Sequence, residues 1–94
     1  MTVVLGPDDA IDPGWAMAGS MTEVSDLVRA GRTVVVTLPE EPTEAVAAAA
    51  VFAWAGARVF RTAPGTARDV RLAVEMTESL AGRRPPALTR RGLA

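Results

Sequence analysis

Hydrophobic and polar positions along this chain predict three strand–helix units in succession. The strands are short runs rich in β-branched residues, at residues 2–5, 33–38 and 58–62. The second run contains Val34, Val35 and Val36 without interruption, a pattern typical of a parallel strand covered on both faces. We therefore predict that residues 33–38 form the central strand of a parallel sheet.

The segment between the first strand and the first helix carries turn signals. Gly6 and Pro7 precede two aspartates, and residues 12–14 add a second polar stretch with proline and glycine. Trp15 and Met17 interrupt this polar segment. We expect them to lie in an early turn of helix.

The first full helix is predicted to begin at Ser20 and to end at Gly31. Ser20 and Glu23 have the spacing of a capping box, and glycine is the usual residue just beyond a helix. Apolar residues recur on one face of this helix at Val24, Leu27 and Val28.

The second helix is predicted to follow Thr43 and to end at Gly56. Nearly every position between 44 and 55 is apolar, so we expect this helix to be covered on more than one side, with Phe52 and Trp54 projecting to different sides. Glutamates near its start are expected to complement the helix dipole; they are Glu40, Glu41 and Glu44.

The third helix is predicted to open at Thr66, where Thr66 and Asp69 have capping-box spacing, and to end at Gly82. Its expected buried stripe consists of Val70, Ala73, Val74, Thr77 and Leu80. We predict a single α/β domain over residues 1–82. Pro85 and Pro86 cannot continue a helix, so residues 83–94 are predicted to form an extended arginine- and proline-containing tail.

Three successive βα units predict a parallel three-stranded sheet with right-handed crossovers. Two strand orders remain open. In the order first–second–third, all helices lie on one face and leave the other face bare, as in a segment cut from a barrel. In the order second–first–third, helices cover both faces, as in a small doubly wound domain. A closed eight-stranded barrel needs roughly 200 residues or more, and this chain has 94.

Composition excludes much enzyme chemistry. The chain has no cysteine and no histidine, so disulfides, thiol catalysis and the usual general base are absent. We predict no catalytic residues, no metal and no cofactor. No apolar run approaches the roughly 20 residues of a membrane-spanning helix, and no signal-peptide pattern follows Met1. We therefore predict a cytoplasmic protein without a membrane partner.

Charge is divided between the two halves of the chain. Residues 1–47 hold eight acids and two arginines, a net charge of −6, whereas residues 48–94 hold eight arginines and three acids, a net charge of +5. The arginines form no stripe and are not interleaved with aromatic residues, so we predict no nucleic-acid binding. We expect the arginines instead to lie on solvated faces and to form ion pairs within the chain or between subunits.

Residues 43–94 resemble the C-terminal end of bacterial dihydropteroate synthases, especially actinobacterial forms. The resemblance rests on the alanine-rich helix with Trp54, the stretch Gly-Ala-Arg-Val-Phe-Arg-Thr at 56–62, and the helix with Val74 and Met76. It continues in Gly-Arg-Arg-Pro-Pro at 82–86 and Arg-Gly-Leu-Ala at 91–94. No family motif matches residues 1–42. The resemblance implies a half-barrel-like fragment of a pterin-binding TIM-barrel fold.

The family's pterin-site residues are mostly missing. In that family the last barrel strand ends in Arg-x-His; Arg61 matches the arginine, but Ala63 stands in place of the histidine. Where the family has a Ser-Arg-Lys stretch, this sequence has Thr-Leu-Pro-Glu-Glu at 37–41. The chain is therefore expected not to be a complete synthase.

Two functions are compatible with this pattern. The first is a non-catalytic synthase-like protein that acts by associating with itself or with a full-length synthase, because a bare sheet face would need a partner. The second is a binder of a small anionic or pterin-type ligand, or a residual folate-pathway transferase.

The candidate ligand site consists of Arg61, Thr62 and the N–H groups near Thr66, at a strand end and a helix start suited to a phosphate or carboxylate. The alternative is that Arg61 pairs with an acid of the N-terminal half and that Thr66 caps its helix. Asp8, Asp9 and Asp12 lack the spacing of a calcium loop and are expected to be turn residues.

Overall fold

The three predicted strands are present, and a fourth joins them. A computed structural model describes residues 2–82. Its elements are β1 (Val3–Leu5), β2 (Ala16–Met17), α1 (Met21–Arg29), β3 (Val34–Thr37), α2 (Pro42–Ala55), β4 (Val59–Arg61), a 3₁₀ turn (Pro64–Thr66) and α3 (Ala67–Leu80). The predicted tail at 83–94 lies outside the described residues. None of the helices within residues 2–82 is long and apolar enough to cross a membrane.

The sheet is parallel throughout and has the order β1-β4-β3-β2. The α/β class is therefore confirmed, and β3 is one of two interior strands. Neither predicted strand order is correct, because the last strand lies between the other two predicted strands. The expected helical turn around Trp15 and Met17 is also wrong, since Ala16 and Met17 pair with β3 as the two-residue strand β2.

All three helices pack on one face of the sheet. Val4, Val36 and Phe60 lie in register on adjacent strands and point to this face. They join a core whose helical members include Val24 of α1, the alanines of α2 and Val70 and Val74 of α3. A doubly wound arrangement with helices on both faces is therefore wrong, and the layer arrangement is that of a barrel segment.

The opposite face of the sheet is not bare at its centre. Val35 and Val59 alternate with the core residues, point away from the helices and are fully buried. The connection between β1 and β2 passes over this face, as the hydrogen bond from Arg61 Nη2 to the carbonyl oxygen of Asp9 shows. This connection, residues 6–15, is called the crossing segment below. Because the crossing segment lies on the face opposite the helices, the connection from β1 to β2 is right-handed.

Helix ends agree with the sequence signals at most positions. Ser20 Oγ accepts a hydrogen bond from the N–H of Glu23 at 3.1 Å, and the Glu23 carboxylate accepts one from Gly19 at 2.8 Å. Gly31 and Gly56 have positive φ angles of 83° and 113° just beyond α1 and α2. A Cβ on Gly56 would lie 2.9 Å from a methyl group of Val28, so α1 packs directly against the end of α2.

Two predictions about α3 are wrong. Thr66 precedes the helix but its side chain makes no capping hydrogen bond, because a 3₁₀ turn leads into the helix instead. Leu80 was expected in the buried stripe, yet it is 76% exposed, whereas Val70, Val74 and Thr77 are buried as predicted. Leu80 is the last residue of α3, one position before the helix cap at Ala81.

Candidate functional site

A cleft of about 160 Å³ opens at the carboxyl ends of β3 and β4. It is lined by Pro7, Thr37, Leu38, Glu40, Arg61, Thr62 and Ala63. Adjacent parallel strands end at the same edge of the sheet, which brings these residues together from distant parts of the chain. The structure thus places Arg61 and Thr62 in one cleft.

Arg61 is held by the crossing segment. Its Nη2 donates to the carbonyl oxygen of Asp9, whereas its Nε is buried and has no hydrogen-bond partner among residues 2–82. The alternative that Arg61 pairs with an acid of the N-terminal half is met only by a hydrogen bond to the backbone carbonyl of Asp9, not by a bond to its carboxylate. The Asp9 carboxylate instead accepts a hydrogen bond from the N–H of Gly6 at 2.8 Å.

Thr62 is positioned by the sheet. Its N–H donates to the carbonyl oxygen of Leu5 at 2.9 Å, which continues the pairing of β4 with β1. The residue is 4% exposed, and its Oγ1 is buried without a hydrogen-bond partner in the described part of the chain. A buried hydroxyl without a partner is unusual, because its desolvation is not compensated.

Thr66 lies apart from this cleft. It is buried, its N–H donates to the carbonyl oxygen of Ala63 at 3.0 Å, and it does not line the cleft. Ligand binding by Arg61, Thr62 and Thr66 stays a prediction, and the structure brings together only the first two.

Glu40 is a cleft residue that the sequence analysis did not assign to the site. It was expected to act as a helix cap, but Glu41 is the N-cap of α2 and accepts a hydrogen bond from the N–H of Glu44 at 2.8 Å. Glu40 instead lines the cleft with Arg61. Glu40 could have been assigned to the cleft from its position just after β3. That assignment required knowing that β3 and β4 are neighbouring strands.

The cleft offers hydrogen-bonding groups but little catalytic chemistry. The N–H at Arg61 Nε and the Thr62 hydroxyl can both donate to an oxygen atom of a ligand. Glu40 adds a carboxylate that can accept from a ligand N–H or O–H group. Ala63, at the place of the family histidine, contributes no titratable group. The arrangement suits binding better than bond cleavage.

A second feature lies on the outer side of the helix layer. We call it the outer helix face; its large exposed apolar residues are Val51, Trp54, Leu72, Met76 and Leu80. A groove of about 480 Å³ runs between α2 and α3 on this side, lined by Pro42, Thr43, Val46, Asp69, Leu72, Ala73 and Met76. Exposed apolar surface of this extent marks interaction sites in many proteins.

The sequence of α2 explains this face. No charged residue occurs from position 45 to 57, so the outer side of α2 is as apolar as the side that faces the sheet. Ala45, Ala49 and Ala53 are fully buried against the sheet, whereas Trp54 is 54% exposed. The prediction that Phe52 and Trp54 project to different sides is confirmed, since Phe52 packs against the core.

The acidic turn residues have structural roles. Asp12 Oδ1 accepts a hydrogen bond from the N–H of Gly14 at 2.7 Å, and Asp9 bonds Gly6 as described above. Both carboxylates close local turns, as expected for aspartates in a Gly- and Pro-containing loop.

Comparison with known proteins confirms the predicted resemblance. The chain is 39% identical over 87 residues to a protein named "Inactive dihydropteroate synthase 2" from Mycobacterium leprae. The match covers 93% of this chain, so the similarity extends from residues 43–94 into the N-terminal half. The chain spans 28% of the length of that relative, at its C-terminal end.

A solved structure agrees with the fold. The structure of Mycobacterium tuberculosis Rv1207 superposes with a TM-score of 0.56 and 39% sequence identity, over 71% of this chain and 28% of that chain. No protein-family model matches the sequence. The chain is therefore similar to about a quarter of each of these longer proteins.

Proposed function

We propose that this chain is a non-catalytic relative of dihydropteroate synthase that acts by associating with a protein partner, either a second copy of itself or a full-length synthase. The observation that carries the proposal is the outer helix face. Its apolar side chains are 46% to 76% exposed in the single chain, on helices whose other side already forms the core.

The chemistry of the sheet edge supports the absence of catalysis. Ala63 occupies the position of the family histidine, and Glu40 and Glu41 follow β3 where the family has cationic side chains. The name of the mycobacterial relative describes that protein as inactive.

Size-exclusion chromatography with light scattering tests the association, on the protein alone and mixed with a full-length synthase. We expect a complex in at least one of the two samples at micromolar concentration. Met76→Glu places a charge on the outer helix face and is expected to abolish the complex, because the charge would have to be desolvated at the interface. Arg71→Glu is the matched control, since Arg71 is exposed on the same helix but does not line the groove.

Two results would contradict the proposal. A protein that stays monomeric and does not bind the synthase has no association function. Formation of dihydropteroate from dihydropterin pyrophosphate and 4-aminobenzoate by the purified chain would contradict the non-catalytic assignment.

A second candidate function is the binding of a small anionic ligand at the cleft. It is favoured by one observation: Arg61 Nε and Thr62 Oγ1 are buried polar atoms that have no hydrogen-bond partner within the residues that the structure describes. A ligand that hydrogen-bonds to either atom would remove part of an uncompensated desolvation cost. Titration with pyrophosphate, 4-aminobenzoate and dihydropterin pyrophosphate, followed by tryptophan fluorescence, tests this function. A response that is lost in Arg61→Gln supports it, and no response to any of the three contradicts it.

A further inference from the structure

We propose that a pocket at the amino edge of the sheet binds a small molecule that carries an ammonium group and a carboxylate group. We call it the amino-edge pocket; the residues that line it include Gly31, Arg32, Gly56, Arg58 and Glu78. Its volume of about 310 Å³ is within the range of roughly 300–1,000 Å³ that is usual for small-molecule sites. The pocket lies at the opposite end of the strands from the cleft at Arg61, and the proposal does not depend on association.

The strand register brings Thr2 and Arg58 together at this edge. They lie two positions before Val4 and Phe60, which are paired neighbours on the face that the helices cover. Because side chains alternate along a strand, Thr2 and Arg58 belong to that same face. The N–H of Val3 donates to the carbonyl oxygen of Arg58 at 2.9 Å, which holds the start of β1 against the start of β4.

Glu78 is a buried acid in the last turn of α3. It follows the core residue Val74 by four positions, so it lies on the side of the helix that faces the sheet, and it is 6% exposed. One carboxylate oxygen accepts a hydrogen bond from the hydroxyl of Thr2 at 3.0 Å. Within residues 2–82 the carboxylate has no other hydrogen-bond partner, and no arginine lies within ion-pairing distance. A buried carboxylate with one neutral partner has an uncompensated desolvation cost, which a bound cation would reduce.

Two helix ends add negative potential at the same pocket. Gly31 and Gly56 lie just beyond α1 and α2, whose last carbonyl groups give the helix ends a partial negative charge. Together with the carboxylate of Glu78, these ends favour a cationic group of a ligand. An ammonium group fits because it offers three N–H donors in a small volume.

The arginines of the pocket are placed for a group of the opposite charge. Arg32 and Arg58 are exposed, in contrast to Glu78, so they form the part of the lining that is open to solvent. Guanidinium groups donate paired hydrogen bonds to a carboxylate. A ligand with its ammonium group at Glu78 and its carboxylate at the arginines would therefore pair all three charges, whereas an anion without an ammonium group would leave Glu78 uncompensated.

Titration with amino acids of increasing chain length tests the proposal: glycine, β-alanine, 4-aminobutyrate and 5-aminopentanoate. At millimolar concentration, at least one of them is expected to shift the amide NMR signals of Gly31 and Gly56 saturably. Butylamine and butyrate, which each carry one of the two charged groups, are expected to shift these signals less. No saturable shift with any member of the series overturns the proposal, and equal shifts with butylamine or butyrate overturn the assignment of two charged groups to the ligand.

Glu78→Gln separates a binding role from a structural one, since groups at the amino edge of a parallel sheet often serve stability. The amide keeps an acceptor for Thr2 but removes the charge. We expect the affinity for the amino acid to fall by roughly tenfold or more, and the melting temperature of the ligand-free protein to rise. Arg58→Gln is expected to weaken binding without this rise.

Arg71→Gln is the matched control, because Arg71 is an exposed arginine of α3 that does not line the pocket. It is expected to change neither the affinity nor the melting temperature. A lower melting temperature in Glu78→Gln would overturn the proposal, because it would show that the carboxylate already has a cationic partner in the free chain.

Discussion

The two sides of the α2–α3 helix layer are both apolar, but only one of them is covered within the described chain. The inner side presents small residues such as Ala49, Ala53 and Val74, all fully buried against the sheet. The outer side presents larger ones, such as Leu72 and Met76, which are exposed. Small residues let the helices approach the sheet closely, whereas large exposed residues contribute to stability only when something covers them. The inner side forms the core of the fold, and the outer side is the surface at which we propose that a partner binds.

The largest effect is expected where the inner side meets the sheet. Phe60 is the largest fully buried side chain and lies beneath the helices. Phe60→Ala is expected to lower the free energy of unfolding by about 3–5 kcal/mol, because it removes buried carbon atoms and leaves a cavity. Urea denaturation followed by circular dichroism measures this loss. A loss below about 1 kcal/mol would show that the inner side is not the core of the fold.

Gly56→Ala tests the contact between α1 and the end of α2. The substitution is expected to cost about 2 kcal/mol or more, because alanine disfavours the left-handed conformation and its Cβ would meet Val28. Gly31→Ala is the matched control. Gly31 is also left-handed, but a Cβ there meets nothing within 4 Å, so only the conformational cost is expected. Equal losses in thermal unfolding would contradict the close packing at Gly56.

Val59→Ala tests the packing on the face of the sheet opposite the helices. Val59 is fully buried on that face. Removal of two buried methyl groups is expected to cost about 1.6 kcal/mol, at about 0.8 kcal/mol for each group. Denaturant unfolding would show no change if the crossing segment covered this face only loosely.

The smallest effect on folding is expected on the outer helix face. Leu72→Ala is expected to change the free energy of unfolding of the monomer by less than about 0.5 kcal/mol, since exposed substitutions rarely do more. Val74→Ala, two residues along the same helix, should destabilise clearly because Val74 is fully buried. Unfolding measured at a concentration low enough for monomers compares the two variants. A large loss in Leu72→Ala under these conditions would show that the outer side already belongs to the core.

Local sequence signals predicted the elements of the fold well. Some signals act only on neighbouring residues: the valine run at 34–36, the cap at Ser20 and the glycines at 31 and 56. The observed strand and helix ends agree with these signals. Strand β2 was missed because two residues carry no periodicity. The strand order was not predicted because no helix lies between β1 and β2, so nothing in the sequence indicated that this connection crosses the sheet.

The candidate site was less predictable than the fold. Arg61 could be assigned from its place at a strand end, but its bond to Asp9 joins residues 52 positions apart. The place of Glu40 beside Arg61 depends on strand order in the same way. The outer helix face was partly visible in the uncharged stretch of α2. The exposure of Leu80, however, required knowing which side of α3 faces α2 and the sheet.

Association through the outer helix face is measured by the molar mass of the wild-type chain across a dilution series, alone and mixed with a full-length synthase. Light scattering is predicted to show association in at least one of the two samples, as a mass above 9.8 kDa for the chain alone or as a complex in the mixture with the synthase. A mass of 9.8 kDa for the chain at every concentration, together with no complex in the mixture, would contradict association through the outer helix face.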